Sequence, residues 1–130
     1  MNEVSVDLWV RGEVTPSDVV AAIGVDARWL HNESDPVQHR VVTAQLASGH
    51  AEDGSPTLEI AVSRLEAARA GLTDLIRRSL DVTLRCQLET MEVWESYFAL
   101  SPNLLRRMAD LGLAVEILPL CLEREERTPS

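Results

Sequence analysis

The 130-residue chain contains no lysine; its 12 basic residues other than histidine are all arginine, set against 21 Asp and Glu for a formal net charge of −9. An acidic surface repels phosphate backbones, so nucleic-acid binding lacks its usual electrostatic driving force. A basic protein partner suits such a surface better, and acidity also aids solubility. Long apolar runs are missing too. None approaches the roughly 20 residues that cross a bilayer, and the opening "MNEVSVDLWV" has neither a basic nor an apolar leader region. The expectation is a soluble cytoplasmic protein with no membrane association. Cysteine is nearly absent. Cys86 and Cys121 lie singly in apolar strand-like runs, which argues for buried structural thiols rather than a zinc site or a disulfide framework.

Catalytic signatures are also lacking. There is no Gly-rich phosphate loop, no GxSxG elbow and no HExxH helix. The three histidines, His31, His39 and His50, fall in or beside polar loops. His31 and His39 could meet Asp35 or Glu33 at a metal, but their spacing matches no ligand motif. Acidic pairs such as Glu92/Glu95 and Glu125/Glu126 read as solvated charge. These absences predict a protein that is not an enzyme and that needs no cofactor or metal.

What is present is periodicity. Over residues 3–11, Val4, Val6, Leu8 and Val10 alternate with Ser5, Asp7, Trp9 and Arg11, the signature of a strand with one buried face. The stretch "TPSDVVAAIGVD" (15–26) then predicts a short helix. Thr15 is placed to cap it, Pro16 suits its first position, Asp18 completes the start, Val19, Ala22 and Ile23 form its inward stripe, and Gly24 ends it. Residues 26–38 read as a polar loop containing one Trp, and "HRVVTAQLAS" (39–48) as a second strand. A turn-rich segment leads into a helix over 57–80, whose apolar positions are Leu58, Val62, Leu65, Ala68, Leu72, Leu75 and Ile76, with Gly71 as a break or kink.

The second half repeats the first. Val82, Leu84, Cys86 and Leu88 alternate as a strand. "SPNLLRRMADLGLAVEI" (101–117) then gives a Ser-Pro helix start, an inward stripe of Leu104, Leu105, Met108 and Leu111, a stop at Gly112 and a closing strand over 113–122. The predicted fold is α+β and ferredoxin-like. Two βαβ units form a four-stranded antiparallel sheet with helices on one face, and the 57–80 helix links them. One domain spans 1–122, and the charged tail 123–130 is expected to fray.

The segments "AAIGV", "LEAARAGLTDLI" and "ALSPNLLRRMADLGLAVEI", in that order, resemble the bacterial domain-of-unknown-function family 4279 over nearly the whole chain. The resemblance implies a fold and no established activity. After Gly24 the chain departs from the family pattern, with Asp26-Ala27, Asn32-Glu33 and Ala44 where members often carry Pro-Thr, a basic-Gly pair and a strand Trp. Whether the 26–38 loop is a site or a connector is left open by the residues.

Two surfaces are candidate sites. If helices cover Val6 and Leu8, then Trp9 faces the other way with Asp7 and Arg11. The last strand is apolar at both parities, so Trp9, Leu118 and Leu120 could form a sheet-face interface or lie under a loop or the tail. Pro119 lacks an amide donor, which favours contact through the face over pairing along the edge. The run "VWESYF" offers Trp94 and Tyr97 beside Glu92 and Glu95, a rim suited to a basic partner; Phe98 and Trp94 could instead staple the loop to the core. The leading expectation is a non-catalytic protein-binding module of the toxin-neutralising immunity type. The alternative is a homodimeric small-ligand sensor that pairs sheet faces.

Overall fold

The computed structural model describes residues 3–31, 36–90 and 97–121, without the side chains of Thr90, Leu120 and Cys121. Its elements run β1 (Glu3–Arg11), α1 (Pro16–Ile23), β2 (Arg28–His31), a 3-10 turn (Val37–His39), β3 (Val41–His50), α2 (Ser55–Ala67), α3 (Arg69–Arg78), β4 (Asp81–Thr90), α4 (Pro102–Leu111) and β5 (Ala114–Cys121). The α+β class is as expected from the sequence.

The sheet differs from the expectation. Among the described residues it has five strands in the order β2-β3-β1-β4-β5 and is mixed. β1 lies antiparallel to both β3 and β4, β2 antiparallel to β3, and β5 parallel to β4. The strand read at 39–48 is therefore not the parallel partner of β1. The connection through α1 leads instead to β2, which points the same way as β1 with β3 between them. The helical segment after β3 is itself a crossover, carrying the chain past β1 to β4. Only β4-α4-β5 is the adjacent parallel unit that the repeat suggested.

Both echoing helices owe their sharp ends to the residues the sequence singled out. Thr15 Oγ1 accepts from the Asp18 amide at 3.2 Å, and the Asp18 carboxylate accepts from the Thr15 amide at 2.9 Å, a reciprocal box. Ser101 Oγ accepts from the Leu104 amide at 3.1 Å. Gly24 and Gly112 close the two helices at φ +79° and +75°, where a side chain is strained. A third helix, α2, also begins with Ser-Pro, at Ser55-Pro56. Here the Asp53 carboxylate accepts from the Ser55 amide and hydroxyl, both at 2.9 Å.

The predicted 57–80 helix is two helices, α2 and α3, and the break falls at Ala68 rather than at Gly71. Gly71 has a different role. A Cβ there would stand 2.7 Å from the carbonyl carbon of Ala22, so its absence lets α3 cross tightly over α1. The buried stripes are Val19 and Ile23 of α1; Leu58, Ala61, Val62 and Leu65 of α2; Leu72 and Leu75 of α3; and Leu104, Met108 and Leu111 of α4. Leu105, expected inward, is exposed. These stripes pack on Val4, Val6, Leu8, Val10, Val42, Val82, Leu84 and Cys86, all on one face of the sheet. Each fully buried Leu or Val contributes roughly 1.5–3 kcal/mol by leaving water. Arg107 ties α4 to α2, donating from Nη2 and Nε to the two Glu66 oxygens at 2.8 and 3.0 Å. Among the described residues no helix is long and apolar enough to cross a membrane.

Candidate functional site on the open sheet face

Strict alternation in β1 dictates that if Val4, Val6, Leu8 and Val10 meet the helices, Ser5, Asp7 and Trp9 stand on the opposite side. Among the described residues that side carries no helix. Register then assembles it: Asp7 faces Gln45 on β3 and Arg85 on β4, Trp9 faces Thr43 and Thr83, and Arg85 faces Glu116 on β5. A bulge in β3 between the partners of Val6 and Asp7 leaves Leu46 unpaired within β3, and the buried Leu46 turns its carbonyl to the Arg64 guanidinium. The bulge keeps Thr43 and Gln45 on the open side while Ala44 and Ala47 remain in the core.

The result is a cleft of about 380 Å³ lined by Ser5, Asp7, Trp9, Arg28, Leu30, Thr43, Gln45 and Gln87, drawn from β1, β2, β3 and β4. Its lining is polar apart from the Trp9 ring and Leu30. A hydrogen-bond chain runs along one wall: Gln45 Nε2 donates to Ser5 Oγ at 3.3 Å, and Ser5 Oγ donates to the Asp7 carboxylate at 3.1 Å. Burial pushes the Asp7 carboxyl above its ordinary range, only partly opposed by the Ser5 hydroxyl and by the charges of Arg28 and Arg85. Arg85 is held elsewhere. It stacks on Trp9 at 3.6 Å and pairs with Glu116 at 2.8 Å.

The residues singled out from the sequence fall in different places. Trp9 lines the cleft, and Leu118 sits half-buried on the same face, beside Gln87. Leu120 has its backbone in β5, and its side chain lies outside the described set. Glu92, Trp94 and Glu95 lie outside the described residues altogether. Tyr97 does not line the cleft. It forms a bridge with Asp53 beside α2 and is 55% exposed, while Phe98 packs against the core.

His31 and His39 do come together, lining a second cleft of about 400 Å³ with Arg11, Gln38 and Val41. Glu33 and Asp35, their suggested co-ligands, lie outside the described residues. Among the described residues no group of three or more His, Cys, Asp or Glu is placed to hold a metal. Burial pushes the Cys86 thiol up to about 12, with the Asp7 charge adding to the effect, which keeps it protonated.

Nothing in the sequence marks Asp7, Arg28, Thr43 and Gln45 as a group. The polar parity of β1 and of 43–45 was the available signal. Arg28 joins them only because residues 28–31 pair as an edge strand, where the sequence reads as loop. Comparison of the chain with family models, with curated proteins and with solved structures finds no match.

Proposed function

We propose that this protein is a non-catalytic binding domain whose recognition site for a small molecule is the open face of its sheet. The observation that carries this reading is the convergence of four strands on one polar cleft around a half-buried carboxylate. A cleft of about 380 Å³ falls within the roughly 300–1,000 Å³ range of small-molecule sites. Its wall is set before any ligand arrives, because Arg85 and Glu116 pin Trp9 and the Gln45–Ser5 chain orients Asp7. The test is an amide and indole NMR titration of the full chain with a fragment library. Fragments that shift β1, β3 and the Trp9 indole, and not the outer faces of the helices, support the reading. A library that leaves those resonances unmoved refutes it.

A second reading keeps the protein-binding role, with a basic partner. It draws on the net charge of −9 and on Tyr97, whose ring is exposed while its backbone is fixed on both sides. The Tyr97 amide donates to the Glu52 carbonyl at 2.9 Å, and the Gly54 amide donates to the Tyr97 carbonyl at 2.7 Å. An exposed aromatic on an anchored backbone, two to five residues after Glu92, Trp94 and Glu95 in sequence, is a fitting anchor for a cationic surface. Loss of a captured basic protein on Tyr97→Ala would favour this reading over the first.

A further inference from the structure

The cleft carries two opposite charges that do not satisfy each other. Asp7 stands on β1 and Arg28 on β2, with β3 between them, so the two strands run about 10 Å apart, and Arg28, paired with Thr43, is offset two positions from Asp7, paired with Gln45. Arg28 is near enough to draw the Asp7 carboxyl downward electrostatically, but no ion pair joins the two. The other nearby cation, Arg85, draws the Asp7 carboxyl downward as well, but its hydrogen bonds go to Glu116 and its face to the Trp9 ring. A carboxylate can accept about four hydrogen bonds, and among the described residues Asp7 receives them from Ser5 alone. Arg28 accordingly presents donors, and Asp7 acceptors, to whatever lies between them.

We infer that the cleft takes a small zwitterion of the free α-amino-acid type, its ammonium against Asp7 and its carboxylate against Arg28. This rests on the small-molecule reading above. A cation beside Asp7 supplies the counter-charge that burial leaves it short of, and a carboxylate suits the planar guanidinium fork of Arg28. Thr43 and Gln45, on the strand between, offer hydrogen bonds to the middle of such a ligand. The Trp9 ring and Leu30 provide apolar surface for its side chain. A neutral sugar could use the amides and the indole but would leave both charges uncompensated. A simple anion would be repelled by Asp7.

The experiment is a titration of the full chain with the free proteinogenic amino acids, followed by calorimetry and by amide and Trp9 indole NMR. Each binder is then compared with its N-acetyl form, which lacks the ammonium, and its amide, which lacks the carboxylate. Neutral monosaccharides and a general fragment library are run alongside. The expected result is a free amino acid that shifts the sheet-face resonances. Both blocked forms should bind about 10-fold or more weakly, as loss of a charge-assisted contact implies. Asp7→Asn and Arg28→Gln should each weaken the parent compound similarly while remaining folded by circular dichroism. If blocked forms bind as well as the parent, or only sugars or other fragments bind the face, the zwitterion is wrong and the small-molecule site stands. If nothing in any set perturbs the face, both fall together.

Discussion

The Arg85 guanidinium lies 3.6 Å from the centroid of the Trp9 ring while pairing with Glu116 at 2.8 Å. One side chain on β4 thereby connects β1 to β5 across the face of the sheet opposite the helices. A cation–π contact at a partly exposed site is worth roughly 0.5–1 kcal/mol, and a surface ion pair roughly 0–1 kcal/mol. Arg85→Ala should therefore cost about 1 kcal/mol in urea denaturation and move the Trp9 indole resonance. Arg85→Lys should keep part of the Glu116 pairing but lose the planar stack, so the indole should still move. An unmoved indole in both variants would show that the stack is not held in solution.

Gly71 offers a test with an unusual sign. In an exposed helix interior, Gly→Ala stabilises by about 1 kcal/mol through propensity. Here the added Cβ would stand 2.7 Å from the Ala22 carbonyl carbon and 2.9 Å from its Cα, backbone atoms that cannot step aside alone. Separation of α1 from α3 would also stretch the Arg78–Asp18 pair, now 3.5 Å long. Gly71→Ala should destabilise by about 2 kcal/mol or more, the scale of overpacking in a core. A denaturation midpoint at or above wild type would mean that the two helices do not cross so closely.

Gly71 differs from the helix-ending Gly24 and Gly112 in the range of its cause, a contact with a distant helix where theirs is a local backbone turn. Helix ends were legible because their causes are local: Thr15 with Asp18, Ser101, Gly24 and Gly112 act within a few residues of themselves. The parity of β1 and β4 was legible for the same reason. The partner of each strand was not. Residues 28–31 show no alternation, and they become β2 only because β3 offers an edge to pair with. The apparent symmetry of the two Pro-started helices suggested two like units, but α1 and α4 make different crossovers. Gly71 looks like a helix breaker in one dimension and is a contact in three. For the cleft, the parity of β1 already put Trp9 and Asp7 on one face, whereas Arg28 joins them there only through strand order.

Cys86 should be chemically silent until the protein opens. It is fully buried on the core face of β4, and its thiol is pushed up to about 12 by burial first and the Asp7 charge second. Since the thiolate is the reactive form, a Cys121→Ser variant at pH 8 should react with an aromatic disulfide reagent only as fast as it unfolds. The labelling rate should climb with urea along the unfolding curve. Complete labelling within the mixing time in native buffer would place Cys86 outside the core.

Two aspartates should give stability profiles of opposite slope with pH. The Asp18 carboxyl is held below its ordinary value of 3.8, chiefly by the Thr15 amide and further by Arg78. Its contribution is fully present above that value and is lost as pH falls through the depressed folded pKa. Asp18→Ala should therefore cost about 0.5–1 kcal/mol at pH 7, the scale of a helix cap beside a half-exposed ion pair, and the gap to wild type should close in acid. Asp7 runs the other way. Burial raises its folded pKa, so the folded state binds the proton more tightly than the unfolded chain does. Stability then declines as pH rises from about 3.8 through the folded pKa, and the penalty persists above it. Asp7→Asn, which cannot ionise, should melt at a higher temperature than wild type at pH 7 and converge on it in acid. Thermal melts of the three proteins across the acid range check both signs. An Asp7→Asn variant less stable than wild type at pH 7 would mean that Arg28 and Arg85 already neutralise the carboxylate, leaving the cleft no charge for a ligand to meet.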